Sequence, residues 1–447
     1  MSIAPSLMNT YPVIILDTVT NERIPHWVEL DHMSDDPFTG NEKNRSLMIW
    51  PARRLTDGRR YIVAMRNLYT NSGTSVAVSP AFIALRDNTS SNDPSVNFRR
   101  NYFNTQIFNV LAANGVERST LQLAWDFTVM STYTQTNAMV YMRDDAFSRI
   151  DWSEGGVSYR ITSVENDFDS EYIARKVNGL MSVPWYLNHV TPGMDVRLIY
   201  EWDNPNQPVY QQNFDVEFEL LIPYSVANHS VMGRWVQYGH GLFGNFHEIE
   251  TTYLKQQSNQ YGYIFAGVNW LGMCDEDVPF VSEMILTNLT NFPMVPDRLH
   301  QGMLNALYLM KLLMSDNFLN DAALQFDGKQ VVDPSLRNYY GNSLGGIMGS
   351  VYMTLTTDVI RGTIGVPGFP FPCFCLAAAT SLPSKISSKS DTNKTLIASS
   401  LSPSWNWLGL DWSPLGIYIY IYVYVYIYII FFFKKANKQT FIIYIHI

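Results

Sequence analysis

The pentapeptide Gly341-Asn342-Ser343-Leu344-Gly345 decides the fold of the second half of this 447-residue chain. It has the form G-x-S-x-G, in which a serine stands on a sharp turn between a strand and a helix. The turn strains the serine backbone, and the two glycines let strand and helix pass closely. The flanking sequence fits, because residues 336–340 form a short strand-like run and residues 344–355 are rich in small side chains.

Such a turn serves a particular chemistry. A serine hydroxyl attacks a carbonyl only where it stands clear of the backbone beside a base, and the strand-to-helix turn places it there. Ser343 is therefore the candidate nucleophile. The alternative is a chance Gly/Ser turn, and the strand before and the helix after the pentapeptide favour the functional interpretation.

A second glycine-rich stretch, Gly239-His240-Gly241-Leu242-Phe243-Gly244, follows the strand-like run 235–238. A tetrahedral intermediate needs two amide donors at its oxyanion, and we expect the amides of Leu242 and Leu344 to supply them. His240 is predicted to be a structural hydrogen bonder, because the base of such a site follows the serine in the chain. The alternative interpretation is an ordinary glycine-rich turn before a helix.

The chain changes rhythm near Arg234. Before it, short apolar runs separated by turns such as Asp57-Gly58 predict a β-rich module of β-sandwich and α+β character. Helical spacing predicts one helix there, over 97–113. The runs predicted as strands are 13–16, 28–30, 47–50, 61–65, 81–85, 121–129, 159–164, 196–200 and 214–222.

After Arg234 strands and helices alternate, which predicts a doubly wound α/β sheet with its chemistry at the carboxyl ends of the strands. The strands are predicted at 235–238, 263–268, 336–340 and 362–366, and the helices at 246–257, 297–314 and 344–355. We therefore predict a β-rich module over 1–224, an incomplete doubly wound α/β core over 225–371, and an unreliable tail over 372–447.

The tail is unusual because residues 417–433 read IYIYIYVYVYIYIIFFF and are followed by Lys434-Lys435. Alternating TA tracts in DNA encode Ile-Tyr repeats, so we interpret the segment as translated non-coding repeat. A transmembrane anchor is the alternative, although alternating aromatic and β-branched residues favour strands. Beyond residue 372 the acids are Asp391 and Asp411 and the histidine is His446, and none of them is assigned a role.

Composition excludes several classes of function. The net charge is −9 and no Lys/Arg run is present, which argues against a nucleic-acid partner. Cys274 stands apart from Cys373 and Cys375, so no disulfide framework is predicted. The run Asp275-Glu276-Asp277 is predicted to be an acidic surface loop, and neither a metal nor a cofactor is expected. Residues 1–30 show no signal peptide.

The stretches YGHGLFGN (238–245) and YYGNSLGGIMGS (339–350) resemble α/β-hydrolases of the lipase/esterase kind. The segments ARRLTDGRRYIVAMRN, LQLAWDFTV and PDRLHQGMLN are similar to multidomain secreted hydrolases with an Ig-like N-terminal module. The resemblance covers roughly 13–371. It implies a nucleophile at Ser343, oxyanion amides at Leu242 and Leu344, an acyl-enzyme mechanism on a small-molecule or lipid ester, and secretion.

Two functions remain open. The first is a serine ester hydrolase that is inactive as the chain stands, because its acid and base are missing. The second is a non-catalytic, membrane-anchored β-rich binding protein, with the anchor at 417–433 and a vestigial hydrolase domain. A serine-reactive probe separates the two.

Overall fold

The computed structural model describes residues 3–30, 47–367, 428–433 and 441–446. These residues form two compact units. The first takes its described residues from Met1–Gln135 and Leu410–Ile447, and the second from Thr136–Gly409.

The first unit is built on a three-stranded antiparallel sheet in the order β1-β4-β5, with β2 and β3 paired separately. Its N-terminal strands are β1 (Val13–Asp17), β2 (His26–Leu30), β3 (Leu47–Pro51), β4 (Arg60–Arg66) and β5 (Leu121–Thr128). Its helices are α1 (Pro80–Arg86), α2 (Pro94–Tyr102) and α3 (Asn109–Ala113), with a π-helical segment, Phe103–Phe108, joining the last two. The predicted helix over 97–113 is thus confirmed.

Both faces of the β1-β4-β5 sheet are buried. Side chains that alternate along β1 point to opposite faces, so Ile15 packs with Ile49 of β3 while Ile14 packs with Phe82 and Val96 of the helices. Because helices cover one face, this part of the chain is α+β, and the predicted Ig-like sandwich is not confirmed.

The run 81–85, predicted as a strand, is helical and lies in α1. The local reason is a helix start signal, because the Ser79 side chain accepts a hydrogen bond from the Phe82 amide at 3.2 Å and Pro80 occupies the first turn. A short apolar run does not by itself distinguish a strand from a buried helix.

The second unit contains a seven-stranded mixed sheet in the order β16-β15-β11-β12-β10-β7-β6. Strands β16, β15, β11 and β12 are mutually parallel, and β10, β7 and β6 continue the sheet antiparallel. The strands of this unit are β6 (Tyr159–Asp169), β7 (Ile173–Trp185), β8 (Tyr200–Glu201), β9 (Asn204–Pro208), β10 (Gln212–Pro223), β11 (Gly233–Gly239), β12 (Tyr263–Gly267), β13 (Gln325–Phe326), β14 (Lys329–Gln330), β15 (Val332–Asn342) and β16 (Arg361–Gly365).

This sheet crosses position 224/225, where the sequence predicted a domain boundary. Residues 219–221 of β10 pair antiparallel with residues 265–267 of β12, so the segment before the boundary belongs to the same sheet as the segment after it. The change of rhythm near Arg234 therefore marks a change from antiparallel to parallel strands.

Helices cover the sheet, and the longest, α8, is buried over most of its length. The helices of this part of the chain are α4 (Thr132–Ser148), α5 (Tyr224–Ala227), α6 (Thr252–Tyr261), α7 (Val278–Thr287), α8 (Met294–Leu313), α9 (Asp316–Leu319) and α10 (Leu344–Leu355). The core between sheet and helices includes Trp235, Leu307 and Tyr352.

Two C-terminal strands, β17 (Tyr428–Phe433) and β18 (Phe441–His446), pair with each other, and β18 runs parallel to β3. The segment 417–433, interpreted as translated repeat with a membrane anchor as the alternative, ends in β17, and its residues 417–427 lie outside the described residues. Within the described part of the chain, no helix is long and apolar enough to span a bilayer.

Candidate active site

Ser343 occupies a sharp turn between β15 and α10. Its backbone angles, φ 55° and ψ −115°, are rare for a residue with a side chain. The turn is held by hydrogen bonds on both sides of the residue. The Ser343 amide donates to the Gly365 carbonyl at 3.0 Å, and the Ser343 carbonyl accepts from the amides of Gly346 and Ile347. This is the strand-to-helix turn that the pentapeptide predicts.

The glycines of the turn are required by close approach. A Cβ at Gly345 would overlap the carbonyl oxygen of Gly239, and a Cβ at Gly341 would overlap the carbonyl of Gly345. Gly239 and Gly341 are directly paired at the ends of β11 and β15. The end of β11 therefore lies against the start of α10, next to Ser343.

Two buried tyrosine hydroxyl groups stabilise this turn and the neighbouring strand β11 through hydrogen bonds. The Tyr339 hydroxyl donates to the Gly345 carbonyl at 2.6 Å, and its ring lies 5.0 Å from that of Tyr352. The Tyr352 hydroxyl donates to the Gln237 side chain, which in turn donates to the Ala306 carbonyl, both at 2.8 Å. Burial raises the pKa of both tyrosines, so both remain neutral donors.

His240 is buried and uses both of its ring nitrogens within the protein. Its Nε2 accepts from the Trp270 amide at 2.8 Å, so Nδ1 carries the proton and donates to the Gly241 carbonyl at 2.7 Å. Burial lowers the pKa of His240 to about 4, which keeps the ring neutral. His240 therefore fastens the loop 239–244 to the loop that follows β12.

The loop after β12 contacts 239–244 at two further points. The Phe243 amide donates to the Met273 carbonyl and the Asp275 amide donates to the Gly244 carbonyl, each at 3.0 Å. Phe243 has a positive φ of 55°, so this loop contains a second strained non-glycine residue. The two loops form one hydrogen-bonded unit at the carboxyl ends of β11 and β12.

The amide of Gly241 is directed at the Glu248 carboxylate, at 3.1 and 3.0 Å from its two oxygens. Among the described residues, the Leu242 amide has no acceptor. Leu344 is the first residue of α10, where amides lack an intrahelical partner. Leu242 and Leu344 thus lie in the two segments that meet at Gly239 and Gly345, with donors available for a negatively charged ligand atom.

The acidic run 275–277 is only partly the surface loop that the sequence predicts. Asp275 and Glu276 are exposed, whereas Asp277 is buried and pairs with the buried Arg298 of α8 at 2.6 Å. Asp277 also accepts from the amides of Gly272 and Cys274. A buried carboxylate in that position orders the loop, because it satisfies amides that have no other partner.

One cluster has the residue types of a metal site. Ligand atoms of Glu219, His247 and Glu250 all lie within 4.8 Å of one another. The Lys176 ammonium lies 3.1 Å from Glu219 and also pairs with Glu250, so a cation already balances the carboxylates. Burial, with the neighbouring Glu250 carboxylate, raises the pKa of Glu219 above its ordinary value. The arrangement is that of an ion-pair network.

The acid and base of a triad are not identified. Asp391 and Asp411 lie outside the described residues, and His446 lies in β18 of the first unit. Within the described part of the chain, no hydrogen bond joins the Ser343 hydroxyl to a histidine.

Sequence reasoning missed the residues whose side-chain hydrogen bonds support the turn and its loops, namely Gln237, Glu248, Asp277 and Tyr339. Their roles depend on contacts between elements that are far apart in the chain, such as Tyr352 with Gln237. The available signal was the presence of polar side chains inside apolar strand and helix patterns.

No protein-family model and no curated protein matches the chain. The solved structures similar to it include several esterases. A CE15 glucuronoyl esterase from Teredinibacter turnerae T7901 is 13% identical over 46% of this chain and 45% of its own, with a TM-score of 0.25. Acetyl xylan esterase 1 from Thermoanaerobacterium sp. JW/SL YS485 is 10% identical over 60% and 67%, with a TM-score of 0.31.

An acetyl xylan esterase from Paenibacillus sp. R4 is 11% identical over 53% of this chain and 60% of its own, with a TM-score of 0.27. This chain spans about half the length of the first of these esterases, at 45%. TM-scores of this size establish neither a common fold nor a common function.

Proposed function

We propose that this chain is a serine-dependent carboxylic ester hydrolase of the α/β-hydrolase kind. The observation that carries the proposal is the conformation of Ser343, a strained serine on a strand-to-helix turn beside the glycine-rich loop 239–244. Backbone strain at a residue with a reactive hydroxyl is typical of a nucleophile, because the strain holds the hydroxyl away from the backbone.

The proposed reaction has two steps. The Ser343 Oγ attacks the ester carbonyl carbon, and the carbonyl oxygen becomes an oxyanion that accepts hydrogen bonds from the amides of Leu242 and Leu344. The bond between the acyl carbon and the alkoxy oxygen breaks, the alcohol leaves with the proton that Ser343 loses, and an acyl-serine remains. Water then attacks the acyl carbon, the carboxylic acid leaves, and the Ser343 hydroxyl is restored. Loss of one oxyanion donor typically costs about 10²–10³ in rate. The substrate class we propose is a small-molecule or lipid ester.

When Ser343 attacks, its hydroxyl proton needs an acceptor. Among the described residues, none is hydrogen-bonded to this hydroxyl. Without a triad, an oxyanion hole and substrate binding alone still give a rate enhancement of about 10³–10⁴ over the reaction in water. We therefore propose that this chain is a weak catalyst or an inactive one, and that a histidine and an acid would restore normal turnover.

Phosphonylation by a fluorophosphonate tests the nucleophile without requiring turnover. The Ser343 oxygen bonds to phosphorus, fluoride leaves, and intact-mass and peptide mass spectrometry locate the adduct. We expect labelling at Ser343, none in Ser343→Ala, and unchanged labelling in Ser350→Ala. Ser350 is the matched control because it lies on the same helix and its hydroxyl donates to the Gly346 carbonyl.

The pH dependence between 7 and 9.5 then reports the base. A labelling rate proportional to hydroxide concentration is expected if no histidine assists, whereas a plateau near pH 7 would reveal one. Labelling that survives Ser343→Ala, or no labelling even at pH 9.5, contradicts the proposal and favours the non-catalytic binding protein.

A further inference from the structure

We infer that Glu248 is the positioning residue of the loop 239–244, which it holds so that the Leu242 amide is left to face the substrate. The inference rests on the proposed function for its catalytic meaning. Its structural content, that one carboxylate fixes this loop, is testable separately.

Glu248 contacts the loop and the strand that precedes it. Both carboxylate oxygens accept from the Gly241 amide, at 3.1 and 3.0 Å. The Tyr238 hydroxyl, at the end of β11, donates to Oε2 at 3.3 Å. Hydrogen bonds to an ionised acceptor are roughly twice as strong as those between neutral groups. One side chain therefore ties the strand end to the first turn of the loop.

The loop is shaped around this carboxylate. A Cβ at Gly244 would overlap Glu248 Oε1, and a Cβ at Gly241 would lie 3.4 Å from the same atom. The Gly244 amide donates back to the Gly241 carbonyl at 3.1 Å, which closes the turn. The glycine at 244 thus makes room for Glu248.

Glu248 is itself presented by a well-anchored element, the 3₁₀ helix Phe246–Glu250. The Asn245 side chain accepts from the His247 amide at 3.0 Å and caps this helix. The Phe246 amide donates to the Asn269 side chain at 2.9 Å, and Ile249 is buried. These contacts fix the helix that carries the carboxylate, in addition to the hydrogen bonds that Glu248 itself accepts.

Glu248 determines which amide of the loop 239–244 is available to bind an oxyanion. The Gly241 amide is committed to Glu248 and cannot serve a substrate. The next amide, that of Leu242, has no acceptor among the described residues. Without Glu248, the Gly241 amide would be released and the loop would lose the contact that orients its neighbour.

The test uses the full chain with Glu248→Ala, Glu248→Gln and, as a control, Glu276→Gln, an exposed acid on the loop after β12. Hydrogen exchange of the 239–244 amides should be about 10- to 100-fold faster in Glu248→Ala, the factor expected for a lost hydrogen bond to a charged group. Glu248→Gln keeps an acceptor and should stay close to wild type, as should Glu276→Gln.

Phosphonylation of Ser343 supplies the catalytic readout. In Glu248→Ala the maximal labelling rate should fall by about 10²–10³, the cost of an oxyanion donor, while the half-saturating concentration of fluorophosphonate stays unchanged. Glu248→Gln should rescue most of the rate. Where Glu248→Ala fails to fold, Gly244→Ala reads the same contact, because its methyl group displaces the carboxylate.

Different outcomes test the proposed function of Ser343 and the ordering of the loop by Glu248. An unlabelled wild-type chain refutes the proposed function, whereas exchange still reports whether Glu248 holds the loop. Unchanged exchange in Glu248→Ala overturns the inference. Faster exchange with an unchanged labelling rate also overturns it, because Glu248 would then order the loop without affecting the amide that binds the oxyanion.

Discussion

At the scale of single residues, the site depends on the backbone conformation of Ser343 and on the close approach at Gly345. Ser343 keeps a backbone conformation that typically costs about 1–3 kcal/mol, and hydrogen bonds to Gly365, Gly346 and Ile347 maintain it. Gly345 has no such strain. Because it has no side chain, α10 can begin directly beside Gly239.

Gly345→Ala is therefore expected to be far more damaging than its size suggests. The new methyl group would overlap the Gly239 carbonyl oxygen and force β11 and α10 apart, which should destabilise the second unit by about 1–3 kcal/mol. It should also abolish labelling of Ser343. Urea unfolding and mass spectrometry measure the two effects, with Ser350→Ala as the control in the same helix. A Gly345→Ala protein as stable and reactive as wild type would contradict the close approach.

At the scale of elements, the loop after β12 couples the site to α8. The buried pair Asp277–Arg298 joins this loop to the helix, and the loop in turn contacts 239–244 through Trp270, Met273 and Asp275. Breaking one partner of a buried ion pair leaves an uncompensated charge, which is usually worse than removing both partners.

Arg298→Met should destabilise the second unit by about 3–5 kcal/mol, because it leaves the Asp277 carboxylate buried without a cation. Asp277→Asn combined with Arg298→Met should recover part of the loss, since the introduced asparagine would be neutral and would still accept an amide hydrogen bond. Urea unfolding of the single and double variants gives the coupling. Additive losses would show that the two side chains act independently.

The elements that the sequence predicted well are those with a local signal. Residues 344–355 form α10, as the glycine–serine motif predicts, and the strands near 235 and 263 are β11 and β12. The prediction of a strand over 81–85 was wrong, because a five-residue apolar run is compatible with both helix and strand.

Other features could not be predicted because they depend on pairing across the chain. The membership of β10 in the seven-stranded sheet follows from its pairing with β12, and the role of Glu248 follows from its contact with Gly241. The burial of Asp277 likewise depends on Arg298, twenty-one residues further along. None of these partners can be identified from periodicity or composition.

At the scale of the whole molecule, the proposed site lies where three neighbouring parallel strands end. The loop 239–244 follows β11, the loop with Asp277 follows β12, and Ser343 follows β15. Ligands of open α/β sheets bind at this edge because successive loops converge there. The antiparallel strands β10, β7 and β6 extend the sheet on the far side of β12.

The stability of the second unit should depend on pH through His240. Burial lowers the pKa of His240 from its ordinary value near 6.5 to about 4, so between these values the unfolded chain binds more protons than the folded one. The free energy of unfolding contributed by His240 is therefore complete above pH 6.5 and is lost as the pH falls towards 4, by on the order of 3 kcal/mol.

Asp297 acts in the opposite direction, because burial raises the pKa of its carboxyl to about 6, and folding then retains a proton that the unfolded chain releases. A comparison of wild type with His240→Gln cancels Asp297 and all other shared groups. The introduced glutamine keeps a donor and an acceptor but does not titrate. Urea unfolding from pH 7.5 to 4.5 should therefore show wild type losing stability relative to His240→Gln as the pH falls. A difference that stays constant over this range would mean that the imidazole is not held neutral between Trp270 and Gly241, and the loop 239–244 would need another anchor.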